Sequence, residues 1–197
     1  MAAARAPAKV RGGQARQGAG KLAAMIVVVA GVSGSGKSTV GSLLAGRMDW
    51  PFTDADALHP AVNIAKMRAG HPLSDADRRP WLAAVAARMD EFACAGESAV
   101  LACSALKRSY REELLAGRPS ARMVFLHVTR EVLEARLRAR HGHFFPAGLL
   151  DSQLADLESP QPAEHVLVVE ATLPPDEAVD EIVRRLRLSP SQEKMSP

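Results

Sequence analysis

The chain has 197 residues, 47% of them hydrophobic and 24% charged, with a formal net charge of +3 and two cysteines. That is ordinary globular usage, enough for one domain with a buried core and too little for a second full domain. A disulfide scaffold is excluded, and no apolar run reaches the ~20 residues of a membrane helix.

The basic excess sits at the start. Residues 1–24 carry Arg5, Lys9, Arg11, Arg16 and Lys21 and no acid, so the rest of the chain is mildly acidic and a nucleic-acid role loses its main support. This Ala-, Gly- and Arg-rich segment reads as a disordered basic leader, an organelle transit peptide, or sequence upstream of the true start. Neither Cys94 nor Cys103 has metal-ligand spacing, and a reducing, cytoplasmic setting is expected.

From Met25 onward, short β-branched runs alternate with helical ones, the pattern of a parallel sheet wrapped by helices. Met25-Ile-Val-Val-Val-Ala30 is too apolar for a one-sided strand and reads as a central strand buried on both faces. Gly31, Val32, Ser33, Gly34, Ser35, Gly36, Lys37 and Ser38 follow at once and match G-x-x-x-x-G-K-[ST] at every fixed position, with Thr39 next in line. The glycines let the backbone curl so that successive N–H groups face phosphate oxygens, and the helix N-terminus adds its dipole to the anion site. Lys37 is placed to reach the β- and γ-phosphates of ATP, and Ser38 to offer its hydroxyl to Mg²⁺.

A helix over Lys37–Met48 is predicted to turn Val40, Leu43 and Leu44 inward. A short edge strand ends at Asp54, and Asp54 and Asp56 alternate at the sheet edge where ligands bind in open α/β folds. On an extended chain both face the phosphates, one through Mg²⁺ and its waters, the other holding an acceptor hydroxyl; a solvated Asp-rich turn is the plainer reading. Pro60 suits the first turn of a helix ending near Gly70. Pro80 requires the next helix to begin two or three residues before it, with Asp77 near the N-cap. Trp81, Val85, Met89 and Phe92 recur at helical spacing and read as core. Gly96 and Gly117 are natural helix stops. Ser98–Cys103, Arg122–Val128 and His165–Glu170 read as further buried strands, and Asp176–Leu188 as a final amphipathic helix. On the helix starting near Arg130, Arg136 and Arg140 share a face and suit a lid over the γ-phosphate, although, taken alone, a basic run on a helix reads first as solvated surface.

Three classes share the phosphate motif. A guanine-reading N-K-x-D element fails, because the one asparagine, Asn63, is followed by Ile64 and Ala65. A motor ATPase needs an acid ending a deep apolar strand, and Glu170 is the sole candidate. A small-molecule kinase fits best.

Beyond the phosphate motif stand Asp54-Ala-Asp-Ala-Leu-His-Pro60, Asn63 with Lys66-Met67, Pro72-Leu73, Asp77-Arg-Arg-Pro-Trp-Leu82, Cys103-Ser-Ala-Leu-Lys107 with Tyr110-Arg111, and Arg140-His-Gly-His-Phe144. In order and spacing these blocks resemble the gluconate kinase family from about Met25 to Leu188. The resemblance implies ATP- and Mg²⁺-dependent phosphorylation of D-gluconate to 6-phosphogluconate, feeding the pentose phosphate or Entner–Doudoroff routes. It implies a three-layer α/β P-loop fold like that of nucleoside-monophosphate kinases, with a five-stranded parallel sheet. A single domain over 25–188 would carry a helical substrate insert at 59–80 and a lid at 136–148, followed by a flexible tail at 189–197. Some family members are dimers, so a homodimer is among the expectations. Matched by position, Lys37, Asp56 and Arg140 become the catalytic residues, Asp54 and Ser38 the metal site, and Arg136 a further ATP contact. Arg78 becomes the partner of the substrate carboxylate, for which a planar guanidinium is better suited than an ammonium. Lys107 is assigned to that carboxylate or to the transferring phosphoryl group, and His59 and Gln153 to polyol hydroxyls. The alternatives left open are a shikimate-kinase-like or other sugar-acid kinase, and a nucleotide-binding regulator without turnover.

Overall fold

The computed structural model describes residues 24–139, 147–172 and 174–190. Five strands, β1 (Ile26–Ala30), β2 (Phe52–Asp54), β3 (Ala99–Cys103), β4 (Ala121–His127) and β5 (Leu167–Glu170), form one parallel sheet in the order β2-β3-β1-β4-β5. The expected five-stranded α/β fold is therefore the one the chain adopts.

The uniformly apolar run explains why β1 lies in the middle: all five of its residues are buried. Side chains alternate between the faces of a strand. Val27 and Val29 pack with Val40, Leu44 and Met48 of α1 (Lys37–Met48) and with Val179 and Ile182 of α7 (Pro175–Leu186). Ile26, Val28 and Ala30 meet Trp81, Val85, Met89 and Phe92 of α3 (Asp75–Ala95) and Leu114 of α4 (Arg108–Leu115). With a helical layer on each face, the inner strands β1 and β3 are buried at every position, and polar residues enter only the other strands, at Thr53, Asp54, Arg122, His127 and Glu170. The stretch expected as a substrate insert is α2 (Ala61–Arg68) and the first turns of α3, while α5 (Arg130–Ala139) and α6 (Ala147–Asp156) touch the cradle loop through Leu137 and Gln153. Of the expected leader, lid and tail, residues 1–23, 140–146 and 191–197 lie outside the described residues, and Arg140 is among them.

Three local expectations are corrected. Leu43 is not inward but 39% exposed. The buried stripe of α1 runs through Val40, Gly41, Leu44, Ala45 and Met48, and at about 100° per residue Leu43 falls roughly 130° from its centre. Helix α3 starts five residues before Pro80, not two or three. Its start is fixed by a capping box: Ser74 Oγ accepts from the Asp77 amide at 3.3 Å, and Asp77 Oδ2 accepts from the Ser74 amide at 2.7 Å. Pro80 and Ala76 are both exposed, so the carbonyl left without a donor faces water. Finally, the chain is no longer extended after Asp54. Residues Ala55–Leu58 form a 3-10 turn whose second amide, that of Asp56, donates to Asp54 Oδ1 at 3.1 Å. Asp56 is thus set by an Asx-type turn and not by strand alternation.

The contrast on α1 is testable by denaturant unfolding. Leu44→Ala should cost about 2–5 kcal/mol of stability, and Leu43→Ala about 1 kcal/mol or less; equal losses would refute the packing described.

Candidate active site

The cradle is built where β1 ends. Gly31 takes φ 143°, and a Cβ there would lie 3.0 Å from the Leu126 carbonyl oxygen and 2.8 Å from Ser35 Oγ, so no other residue fits without rearrangement. Gly34 is pressed against Leu137 of α5, which a Cβ would meet at 3.2 Å. Gly36 precedes α1 at φ 98° and no side chain caps the helix, leaving the first-turn amides to an anion. Lys37 Nζ donates to the Val32 carbonyl at 3.1 Å, which folds the ammonium over the cradle. Ser35 is fully buried, and its hydroxyl has no hydrogen-bond partner among the described residues.

Next to the cradle, Ser38 Oγ donates to Asp54 Oδ2 at 2.6 Å. A hydroxyl and a carboxylate side by side beneath a phosphate cradle are hard oxygen donors of the kind Mg²⁺ takes when nucleotide oxygens and water complete its shell. The residues present fit a Mg²⁺-nucleotide. Asp54, Asp56 and Lys37 all lie close enough to act electrostatically on Cys103, whose thiol is pushed up to about 12, chiefly by complete burial. Cys103 is therefore a packing residue and not a nucleophile.

A second group of charges gathers residues from three helices. Arg78 of α3 donates to Asp156 Oδ2 of α6 at 2.8 Å and to the Tyr110 hydroxyl of α4 at 3.3 Å, and lies 3.7 Å from Asp75. Lys107 Nζ donates to Asp75 Oδ1 at 2.7 Å and is 3.7 Å from Asp156. Tyr110 also donates to Asp75, at 2.5 Å. The hydrogen bond from Lys107, then that from Tyr110, hold the Asp75 carboxyl below its usual range. Burial works against the Arg78 charge, but the bonds to Tyr110 and Asp156 outweigh it and raise the guanidinium further.

Between these groups, His59 stacks on Trp81 with ring centroids 4.4 Å apart and planes 10° from parallel. The Trp81 indole donates to the Ala55 carbonyl at 2.7 Å, so the tryptophan that reads as core in the sequence also sets the turn bearing Asp56. Asn63 Nδ2 donates to the Asp77 carbonyl at 2.8 Å and lies 3.4 Å from His59 Nδ1.

The structure thus brings together Lys37, Ser38 and Asp54 on one side and Arg78 and Lys107 on the other, with Asp56 and His59 on the segment joining them. Two further expected site residues touch the cradle loop. Gln153 of α6 is on the cradle, its Oε1 accepting from the Ser33 amide at 2.7 Å. Arg136 donates to the Ser35 carbonyl at 3.3 Å and to the Ala171 carbonyl at 2.6 Å, tying the cradle to the end of β5. Tyr110, Asp75 and Asp156 escape a sequence reading of function; only Asp75, three residues before Arg78 on one helix, leaves a local signal.

A family model described as an AAA domain matches residues 26–160. A gluconokinase of Gluconobacter oxydans (strain 621H) is 48% identical over 161 residues, which span 82% of this chain and 90% of that protein. The chain belongs to the gluconokinase family. Two solved structures agree with that kinship. A sugar kinase from Janibacter sp. HTCC2649 superposes with a TM-score of 0.80 at 44% identity, covering 85% of this chain and 96% of that one. A gluconokinase from Sinorhizobium meliloti 1021 gives 0.72 at 42% identity, covering 84% and 97%.

In this family member His59 gives up its proton more readily than an ordinary histidine. Burial lowers its pKa from the ordinary 6.5, the nearby Asp56 charge opposes that shift and Arg78 reinforces it. Below about pH 6.5 the unfolded chain takes up a proton that the folded one refuses, so stability falls as the pH drops from there toward the folded-state value. Melting temperatures measured from pH 7.5 to 5.5 should fall more steeply in the native protein than in His59→Gln; parallel curves would refute the assignment.

Proposed function

We propose that this protein transfers the γ-phosphoryl group of ATP to D-gluconate, giving 6-phospho-D-gluconate, with Lys37, Asp56, Arg78 and Lys107 as the working side chains. The observation that carries this reading is the Arg78–Lys107 pair, separated from the phosphate cradle by the turn that bears Asp56. A carboxylate held at the pair leaves the far end of a six-carbon chain to reach toward Asp56. Kinship with gluconokinases over most of the chain names the acid.

The donor half rests on main-chain geometry. The first-turn amides of α1 receive the phosphates, and Lys37 moves from the Val32 carbonyl onto the oxygens that gain charge in transfer. Ser38 and Asp54 would hold Mg²⁺, which would supply charge neutralisation during phosphoryl transfer. At the acceptor, the Asp56 carboxylate accepts a hydrogen bond from the attacking hydroxyl and orients it in line. Because phosphoryl transfer passes through a loose transition state, orientation matters more than the strength of the base. Arg78 and Lys107 hold the carboxylate, and His59, stiffened by Trp81, is in reach of the polyol hydroxyls. Arg136 and Gln153 support the cradle, and Arg140 remains the expected arginine over the γ-phosphate. A cytoplasmic site of action fits a kinase that draws on ATP.

ADP release should be measured with Mg-ATP against gluconate, shikimate, other sugar acids and no acceptor. Turnover should depend on gluconate; absent or acceptor-independent turnover would overturn the reading. Asp56→Asn should lower kcat by about 10²-fold or more with an unchanged melting temperature. Lys37→Ala should lower kcat far more than it raises KM. Arg78→Ala should instead raise KM for gluconate by about ten- to a hundredfold while leaving KM for ATP nearly unchanged.

A further inference from the structure

Helix α6 and the residues after it touch both the cradle loop and the Arg78–Lys107 group. Gln153 accepts from the Ser33 amide of the cradle at 2.7 Å. Three residues on, Asp156 accepts from Arg78 at 2.8 Å. Beyond the helix, the Glu158 amide donates to the Leu106 carbonyl at 3.1 Å, and Glu158 Oε2 accepts from the Arg108 amide at 2.6 Å, capping α4. Asp156 is therefore presented to Arg78 from a segment fixed on both sides.

The two carboxylates beside Arg78 and Lys107 are not equivalent. Asp75 shares a helix with Arg78 and is bonded to both Lys107 and Tyr110, at 2.7 and 2.5 Å, while standing 3.7 Å from Arg78. It is a fixed part of the frame. Asp156 comes from another element, has its closest charged contact at Arg78, and reaches Lys107 only at 3.7 Å. Arg78 is itself 13% exposed in its side chain, so a guanidinium with little open surface already carries a carboxylate.

We propose that Asp156 is an internal stand-in for the substrate carboxylate, a residue that sets acceptor affinity by occupying Arg78 until the acid replaces it. The proposal rests on the assignment of Arg78 and Lys107 to the acceptor carboxylate. With Asp75 and Asp156 both in place, two cations face two anions and the group is neutral. A third carboxylate added to it would leave a net negative, partly desolvated cluster. Exchange avoids that: Asp156 turns to another staggered rotamer toward water while the helix stays where Gln153 and Glu158 hold it. The guanidinium passes from one carboxylate to another and is never left buried without a partner, the costly state for a charge in such a place. Asp156 thus lowers affinity for the acid while keeping the empty site intact.

The test uses the full-length protein and Asp156→Asn, which keeps shape and removes charge; Asp156→Ser repeats it without an amide oxygen to hold Arg78. Gluconate affinity is measured by calorimetry and as KM, alongside the binding of glucitol, the neutral polyol with the same chain. Both variants should bind gluconate about three- to tenfold more tightly, with glucitol unchanged, because glucitol brings no carboxylate to exchange. Unchanged or weaker gluconate binding would overturn the proposal, the latter marking Asp156 as a direct ligand of the substrate. Equal tightening for both compounds would overturn it too, showing a general loosening of the site. Arg78→Ala separates this from the reading beneath it: if that variant binds gluconate normally, the carboxylate site lies elsewhere, whereas weakened binding there together with unaltered binding in Asp156→Asn refutes only the role of Asp156.

Discussion

Five consecutive residues, Ile26–Ala30, have no exposed side, and the rest of the molecule is arranged to satisfy them. A strand apolar on both faces must lie between helical layers and between neighbouring strands, so β3 and β4 flank it and α1 and α3 cover it. That placement fixes where the chain leaves the sheet. Gly31 begins at the C-terminal edge with its amide bonded to the Ser104 carbonyl at 3.3 Å, so the turn after β1 is anchored to the turn after β3. The cradle and the residues leading to Lys107 are thus neighbours because their strands are. Asp54 arrives at the same edge because β2 pairs with β3, Asp54 opposite Ala102.

The same edge must hold the β3–α4 turn rigid, and one buried ion pair accounts for it. Arg111 and Glu164 have side chains only 1% and 4% exposed, joined by bonds of 2.7 and 3.0 Å. The guanidinium also donates to the carbonyl of Leu106 at 2.8 Å, and that of Ala105 lies at 3.4 Å. Ala105 takes a positive φ of 38°, a conformation an alanine holds only when its surroundings enforce it. A buried pair of this kind adds little net stability, yet removing one partner strands the other. Its effect here is positional: it fixes the two residues before Lys107.

Much of the fold was legible because burial writes itself into local sequence. β1, the cradle and the stripe of α3 each occupy a continuous stretch with a defined period, and the Ser38–Asp54 contact follows from strand order once the motif is placed. The failures have local physical causes. Leu43 was assigned inward on hydrophobicity, although one residue from Leu44 means about 100° around the helix. Pro80 gave a false start to α3 because the capping box at Ser74 outweighs one lost hydrogen bond whose acceptor faces water. Asp56 was placed by strand alternation, but the Asp54 carboxylate caps the next turn and ends the strand. The contacts of Asp156, of Tyr110 and of Gln153 on the cradle left no trace, although Tyr110 itself stands among the blocks that carry the resemblance, since each contact depends on separations of 32 to 120 residues.

The two halves of the site therefore differ in how they can change. The proposed donor half is built largely on the main chain of the loop after β1 and the first turn of α1, with Lys37, Ser38 and Asp54 beside it, and a substitution in the loop meets steric limits such as those at Gly31. The proposed acceptor half consists instead of side chains from α3, from α6 and from Lys107 and Tyr110 at the start of α4, around a neutral cluster. Altering the cluster can retune the acceptor while leaving the cradle intact, provided that Arg78 keeps a partner. On the proposal made for Asp156, the need to keep the mostly covered Arg78 cation paired when no substrate is present, more than the need to bind substrate tightly, sets how strongly such a site can hold its acid.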